Sequence, residues 1–317
     1  MLVPLLPVHK TTKPRRGPHH RRLLRQAQRF APLRTAVVHP VDALSLCGAI
    51  EAARAKLIAP VLVGPEGKIR AAARAASVEL TDYPCVWTEH SHAAAAVAAA
   101  LAAEHKVGAL MKGSLHTDEF MGAIVREPRL RTARRMSHVF VIDAPAYPRL
   151  LLVSDAAINI YPTVEEKADI VQNAIDLAHV LAIRRPRVAI LSAVETVSPR
   201  IKSTLDAAVL CKMADRGQIT GGVLDGPLAF DNAVSPEAAR AKGIRSPVAG
   251  RADILIVPDL EAGNMLAKQL EYLAGAQIAG IVLGARVPVI LTSRADNTLA
   301  RLASCAIARL LARQSRH

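Results

Sequence analysis

The residues best suited to chemistry in this 317-residue chain lie near its C-terminus, in Thr292-Ser293-Arg294-Ala295-Asp296-Asn297. They follow the apolar, β-branched run 287–291, which reads as a buried strand. They precede 298–311, where Leu, Ala and Ile recur at helical spacing. A hydroxyl, a guanidinium and a carboxylate at the carboxyl end of a strand, beside the free N–H groups of a helix start, suit an anionic substrate. Ser293, Arg294 and Asp296 are therefore candidates for chemistry. The plainer alternative is an ordinary polar connection in which Asp296 or Asn297 caps the last helix.

Side chains of this kind need a scaffold. Runs at 35–39, 58–63, 85–87, 107–111, 139–145, 150–154, 187–192, 223–227, 253–258 and 277–283 read as strands. Helical spacing falls at 42–55, 68–76, 91–104, 164–181, 201–217, 231–242 and 260–273. The alternation predicts an α/β fold with a parallel sheet covered on both faces. An apolar strand, a short polar turn with Gly and a helix start recur after residues 111, 224, 258 and 291. In a doubly wound protein such turns meet at the carboxyl ends of the strands, where the cleft lies.

The first of these turns offers Ser114, His116 and Thr117 to a phosphate, with a helix cap as the alternative role of His116. The second holds Asp225 beside Gly226, to orient the cleft or simply to form the turn. In the third, Glu261 and Asn264 flank Gly263, meeting a ligand or fixing the turn. The five arginines between 126 and 135 read as a solvated face, with phosphate contact the rarer use of such a run.

Composition narrows the choices. The length exceeds one ordinary domain, so two lobes or one large unit are expected. With 51% hydrophobic but 3% aromatic residues, layered helices and parallel strands are favoured over a sandwich. The net charge is +14, yet nine of the basic residues and no acid lie in 1–34, leaving +5 for residues 35–317. Residues 1–34, with five prolines, read as a basic disordered tail, and a transit-peptide reading is weakened by the absence of Ser. The body lacks the aromatic-interleaved basic stripe that nucleic-acid binding uses, so any such contact is expected only from the tail. Cys47, Cys85, Cys211 and Cys305 are far apart and read as reduced thiols, not metal ligands. No GxGxxG follows the first strand, and GxxxxGK[ST], GxSxG and HExxH are absent. No apolar run is long enough to span a bilayer.

At these turns the sequence resembles the phosphate acetyl/butyryltransferase family. The matching pieces are Lys112-Gly-Ser-Leu-His-Thr117, Ser154-Asp-Ala-Ala-Ile-Asn159 with Pro162, Asp225-Gly-Pro-Leu-Ala-Phe-Asp231, Ser246-Pro-Val-Ala-Gly250, Leu260-Glu-Ala-Gly-Asn264 and Pro288-Val-Ile-Leu-Thr-Ser-Arg294. They run in the family's order from about residue 35 to the end and look closer to the butyryltransferase branch. The resemblance implies two α/β/α lobes of the isocitrate/isopropylmalate-dehydrogenase-like kind, with the site in the cleft between them. One lobe would be 35–145 plus 294–317 and the other 146–293.

It further implies a cytoplasmic homodimer that moves a short acyl group between CoA and inorganic phosphate. CoA, phosphate and acyl phosphate would be the partners, with no metal, tightly bound cofactor or membrane. Ser293 and Arg294 match the family's Ser-Arg site pair, and Asn159 joins the substrate-binding candidates. Acetyl-type members carry an Asp seven residues after that Ser, where Ala300 stands here, so Asp296, one turn earlier, is nominated as the base. An Arg of the acetyl-type members is also missing, near Gly122. Two other readings stay open. One is a catalytically weakened CoA-binding or regulatory homologue. The other is a metal- and NAD-dependent dicarboxylate dehydrogenase of the same fold, which needs helical carboxylates at i and i+4 that are absent in such surroundings.

Overall fold

Eleven strands join in one continuous sheet among the residues that the computed structural model describes, 17–292 and 297–314. In chain order the first half runs α1 (Pro18–Ala27), β1 (Leu33–Val38), α2 (Ala43–Arg54), β2 (Ile58–Gly64), α3 (Glu66–Ala76), β3 (Cys85–Trp87), α4 (Ser91–Ala103), β4 (Ala109–Lys112), α5 (Thr117–Arg126), a 3-10 turn at Pro128–Leu130 and β5 (Ser137–Asp143). Then come β6 (Leu151–Ser154), α6 (Val164–Val180), β7 (Arg187–Leu191), α7 (Lys202–Asp215), β8 (Val223–Leu228), α8 (Phe230–Val234) and α9 (Pro236–Ala241). The chain closes with β9 (Ile254–Ile256), α10 (Leu260–Tyr272), β10 (Gln277–Leu283), β11 (Val289–Ile290) and α11 (Thr298–Gln314).

The strand order is β3-β2-β1-β4-β11-β10-β5-β6-β9-β7-β8. Both outer wings, β3 to β11 and β6 to β8, are parallel within themselves. The two central strands break that rule: β10 is antiparallel to β11 and β5, and β5 is antiparallel to β6. The fold is α/β as expected, but its sheet is mixed. Strand β11 pairs with β4 through Val289–Leu110 and Ile290–Met111, so residues 289–290 belong with the first wing rather than with a lobe ending at 293.

Period-2 alternation assigns the two faces of the central strands. Val139, Val141, Ala279 and Ile281 enter one large core beneath α1, α2, α3, α6, α7 and α11. The opposite face carries two separate cores, one under α4 and α5 and one under α8, α9 and α10. His138, Phe140, Ile278 and Gly280 fall on that second face, between the two helical layers.

Residues 1–34 do not behave throughout as the expected tail. Residues 1–16 lie outside the described part, but α1 is a docked helix with His20, Leu23 and Ala27 buried along one stripe. The Asp143 carboxylate accepts the amides of His19 and His20 at 2.7 and 3.1 Å, capping the helix from 124 and 123 residues away. The His20 Nε2 lies 3.1 Å from the Val141 carbonyl oxygen.

The 231–242 helix is corrected to two short ones, α8 and α9, divided at Ser235, whose hydroxyl caps the second by accepting the Ala238 amide. The arginine run behaves as the solvated face it resembled. Arg129 pairs with Glu127, Arg134 with Asp176, and Arg135 with Glu166.

Candidate active site

The gap between the two helical layers is a cavity of about 460 Å³ over the central strands. Its walls come from six pieces of chain: 112–117 at the end of β4, His138 and Phe140 of β5, Ala157 after β6, α10 from Asn264 to Glu271, Ile278 and Gly280 of β10, and Leu291 and Thr292 after β11. The short strands β11 and β6 flank the seven-residue pair β10 and β5, and residues following β4, β11 and β6 line the cavity.

Of the sequence-derived candidates, His116, Thr117 and Asn264 meet in this cavity. Thr117 is the first residue of α5, so free N–H groups of that helix start stand at the wall. Lys112 Nζ donates to the carbonyls of Leu115 and Gly113 at 3.1 and 3.3 Å and so ties down the turn that carries them. On the opposite wall the Asn264 side chain donates to the Ala156 carbonyl at 3.3 Å. Lys268 Nζ lies 3.0 Å from Glu271 Oε2, putting a cation and a carboxylate at the α10 side.

Gly263 has a packing role. A Cβ there would stand 2.8 to 2.9 Å from Val257, Ala156 and the Asp155 carbonyl, so its bareness lets α10 close on the 155–159 turn. Ser114 points behind the turn: its hydroxyl donates to the Asp42 carboxylate and lies 2.9 Å from the Ser45 hydroxyl. Asp42 also caps α2, accepting the Ser45 amide at 2.8 Å. Ser45, Lys112, Thr292 and Arg301 line a narrow pocket beside this group.

Like Ser114 and Gly263, three further candidates do not line the cavity. Asn159 is buried and spent on structure: its amide donates to Asp155 and, at 3.0 Å, to the Met136 carbonyl, while its oxygen accepts from Arg135. Asp155 in turn accepts the amides of Ala157 and Ile158 at 2.9 and 3.1 Å. Burial still pushes its carboxyl above the ordinary range. Glu261 is exposed and meets the Tyr161 hydroxyl at 3.4 Å.

Asp225 is in mid-strand on β8, four strand spacings from β5, or about 19 Å at ~4.8 Å each. The expected turn there is an edge strand continuing through Pro227, which an edge tolerates because no further strand needs its missing donor.

Ser293, Arg294 and Asp296 lie outside the described residues. The residues on either side are informative. Thr292 lines the cavity, and Asn297 caps α11, its side-chain oxygen accepting the Ala300 amide at 3.0 Å. Ala300, standing where acetyl-type members have Asp, is 2% exposed.

The residues that sequence reasoning missed are His138, Phe140 and Lys268. The alternation in 137–143 does put a histidine and an aromatic ring on one face, a signal open to sequence reading. Among the described residues no group of His, Cys, Asp and Glu is arranged to hold a metal ion, and no helix is long and apolar enough to cross a membrane.

Comparison with known proteins agrees with this architecture. The family model described as phosphate acetyl/butaryl transferase matches residues 84–308. A phosphate acetyltransferase of Rhizobium meliloti is 60% identical over 296 residues, covering 93% of this chain and 94% of its own. A phosphate butyryltransferase of Clostridium acetobutylicum is 43% identical over 253 residues, covering 80% and 84%. The crystal structure of a branched-chain phosphotransacylase from Enterococcus faecalis V583 superposes with a TM-score of 0.76 at 27% identity, covering 88% of this chain and 99% of that one. The chain belongs to the phosphate acetyl/butyryltransferase family, as its motifs suggested.

Proposed function

We propose that this chain catalyses acyl-CoA + phosphate = acyl phosphate + CoA, on short acyl groups. The observation that carries this reading is the identity of 60% and 43%, over most of the chain, to proteins named phosphate acetyltransferase and phosphate butyryltransferase. The cavity supports it, with an α5 helix start and the Lys112-braced turn on one wall and Lys268 on the other, next to Thr292.

In the direction of acyl-CoA formation, the CoA thiol is a weak nucleophile at neutral pH and must lose its proton as it attacks. Its sulfur bonds to the acyl carbonyl carbon, the carbon–oxygen bond to phosphate breaks, and phosphate leaves with the electron pair. Arg294 neutralises the phosphate, Ser293 donates to the carbonyl oxygen as charge builds there, and Asp296 receives the thiol proton. Each assignment rests on the residue type and on the resemblance of the 288–294 segment. CoA, phosphate and acyl phosphate are thus substrates, no resident cofactor is invoked, and the working unit is a cytoplasmic homodimer.

The test mixes the enzyme with acetyl-, propionyl- or butyryl-CoA, phosphate and a thiol reagent, and follows free CoA. Release above the blank for at least one of them is expected. Loss of about 10²-fold or more in Arg294→Gln and Ser293→Ala is expected as well. No release with any of the three would leave a CoA-binding protein without turnover. Asp296→Asn retaining full activity would move the base elsewhere.

A further inference from the structure

One polar group in the wall of the cavity has no assigned task. His138 is 1% exposed, and its Nδ1 has no hydrogen-bond partner. A buried donor or acceptor left unmatched is unfavourable, so such groups in folded proteins nearly always find a partner. The rest of the residue is firmly placed. Its carbonyl accepts the Ser154 hydroxyl at 2.9 Å, and its ring meets Phe140 edge to face at 4.4 Å. Its other edge lies over Gly280, where a Cβ would come within 2.8 Å of Nε2. Position 280 lacks a side chain on the very spot that the imidazole occupies, and both residues line the cavity.

The ring's chemistry limits what it can bind. Burial drives its pKa down to about 3, so at working pH it offers one N–H donor and one lone pair, without charge. Phe140 packs against the ring, and Ile278, Leu115, Leu291 and Ala267 are the apolar part of a lining that also holds Lys112, Thr117, Lys268 and Thr292. A dianionic phosphate is better matched by the cations and the α5 start in that lining than by the uncharged ring and Phe140, which do not repay its lost hydration. An uncharged carbonyl flanked by a short alkyl chain fits these two well. In the reaction proposed above the acyl group has that character, as do the amides of CoA's pantetheine arm, and the acyl carbonyl is the one on which charge builds.

We propose that His138 is a substrate-contacting catalytic residue, its imidazole N–H donating to the acyl carbonyl oxygen while Phe140 and Ile278 wall the alkyl chain. No bond to His138 forms or breaks. The N–H simply strengthens its hydrogen bond as negative charge moves onto that oxygen during attack by sulfur or phosphate. This inference deepens the acyl-transfer reading and rests on it.

The experiment compares wild type with His138→Phe and His138→Gln, using acetyl and butyryl phosphate with CoA. Phe keeps the ring volume and removes the N–H, whereas Gln restores a donor. Thermal melts check that each variant folds. The expected result is a fall in kcat of about 10²-fold for His138→Phe, a partial recovery in His138→Gln and little change in KM for CoA. A second readout uses a CoA ketone analogue that carries a methylene between sulfur and a ¹³C-labelled carbonyl. Its resonance should move downfield on binding to wild type, and this displacement should be lost in His138→Phe.

An active wild type with His138→Phe within twofold in kcat on both acyl phosphates overturns the inference alone. So does an unchanged carbonyl displacement. A wild type without turnover on any acyl phosphate overturns the acyl-transfer reading and this assignment with it. If the Phe variant does not fold, His138→Gln against His138→Met decides by the same criteria.

Discussion

The Asn297 side-chain oxygen accepts the Ala300 amide at 3.0 Å, while its Nδ2 donates to Gln277 Oε1 at 2.8 Å. One residue thus starts α11 and fastens that start to the first residue of β10. The segment 293–296, which holds the proposed phosphate-binding and proton-accepting groups, ends at this anchor. Asn297→Ala removes both bonds, and loss of the cap alone should lower stability by about 1 kcal/mol. A larger drop in turnover than in the urea midpoint is expected if the anchor also positions Ser293 and Arg294. Equal, small effects on both would make it a helix cap only.

Restoring the acetyl-type carboxylate at position 300 should not improve the enzyme. Ala300 is 2% exposed, and its carbonyl already accepts from the Ser304 hydroxyl at 3.1 Å, which itself accepts the Gly280 amide at 3.0 Å. A buried carboxylate entering that packing should cost about 1–3 kcal/mol, more than the helix dipole can return near α11's first turn. The expected outcome for Ala300→Asp is a lower urea midpoint with no gain in kcat. A gain would show that the base belongs at 300 and that its absence limits this chain.

Lys167 and Asp206 link α6 to α7 through a buried ion pair, Nζ to Oδ2 at 2.7 Å, with side chains 5% and 9% exposed. Burial alone would raise the Asp206 carboxyl, but hydrogen bonds from Lys167 and the exposed Lys202 outweigh it and hold the group below its usual range. Lys167→Met leaves that carboxylate with only the solvent-facing Lys202 and should lower stability by about 3 kcal/mol. The double variant Lys167→Met, Asp206→Leu should recover much of this loss in chemical denaturation. Additive losses would mean that the two side chains are not coupled.

How much was legible in the sequence depended on whether the relevant partner was local. The 277–283 strand, the 42–55 helix and the helix opening at 260 were readable because neighbouring residues determine them. The direction of β10 and β5 was not, since an alternating apolar run looks the same whichever way its neighbours point. The same limit explains Asp225 and Asn159. Their motifs resemble ligand turns, but only the sheet order shows one to be four strands away and the other to be enclosed by Asp155 and Arg135. His138 was hidden for the opposite reason: inside an apolar strand a histidine looks like core.

Acid should unfold this protein through its buried histidines. Burial lowers His138 to about 3 and His20 to about 4, against 6.5 in the unfolded chain. Between those values the unfolded state binds a proton that the folded state refuses, so stability is full above pH 6.5 and falls as the pH drops. Each histidine contributes about 1.4 kcal/mol per pH unit in that window, or about 2 kcal/mol between pH 6.5 and 5. Urea midpoints measured from pH 7 to 5 should decline accordingly, with a shallower slope in His138→Phe. A flat profile would show that these histidines are protonated in the native state.

The docked N-terminal helix offers the last test. Leu23 is 3% exposed and Ala27 fully buried, both in the core that α11 also covers, and Arg313 stacks over Phe30 at 4.1 Å just beyond the helix. Asp143, 3% exposed, spends its carboxylate on the His19 and His20 amides. Leu23→Ala should therefore lower stability by about 2–4 kcal/mol. Asp143→Ala should leave two amides at the start of α1 without that acceptor, so its destabilisation should be partly shared with Leu23→Ala in a double variant. Deleting residues 1–28 should exceed either single change, because it uncovers α11 and β5 together. Denaturation curves for the four variants and the unaltered chain decide the matter. A deletion no less stable than the full chain would show that α1 only rests on a surface complete without it.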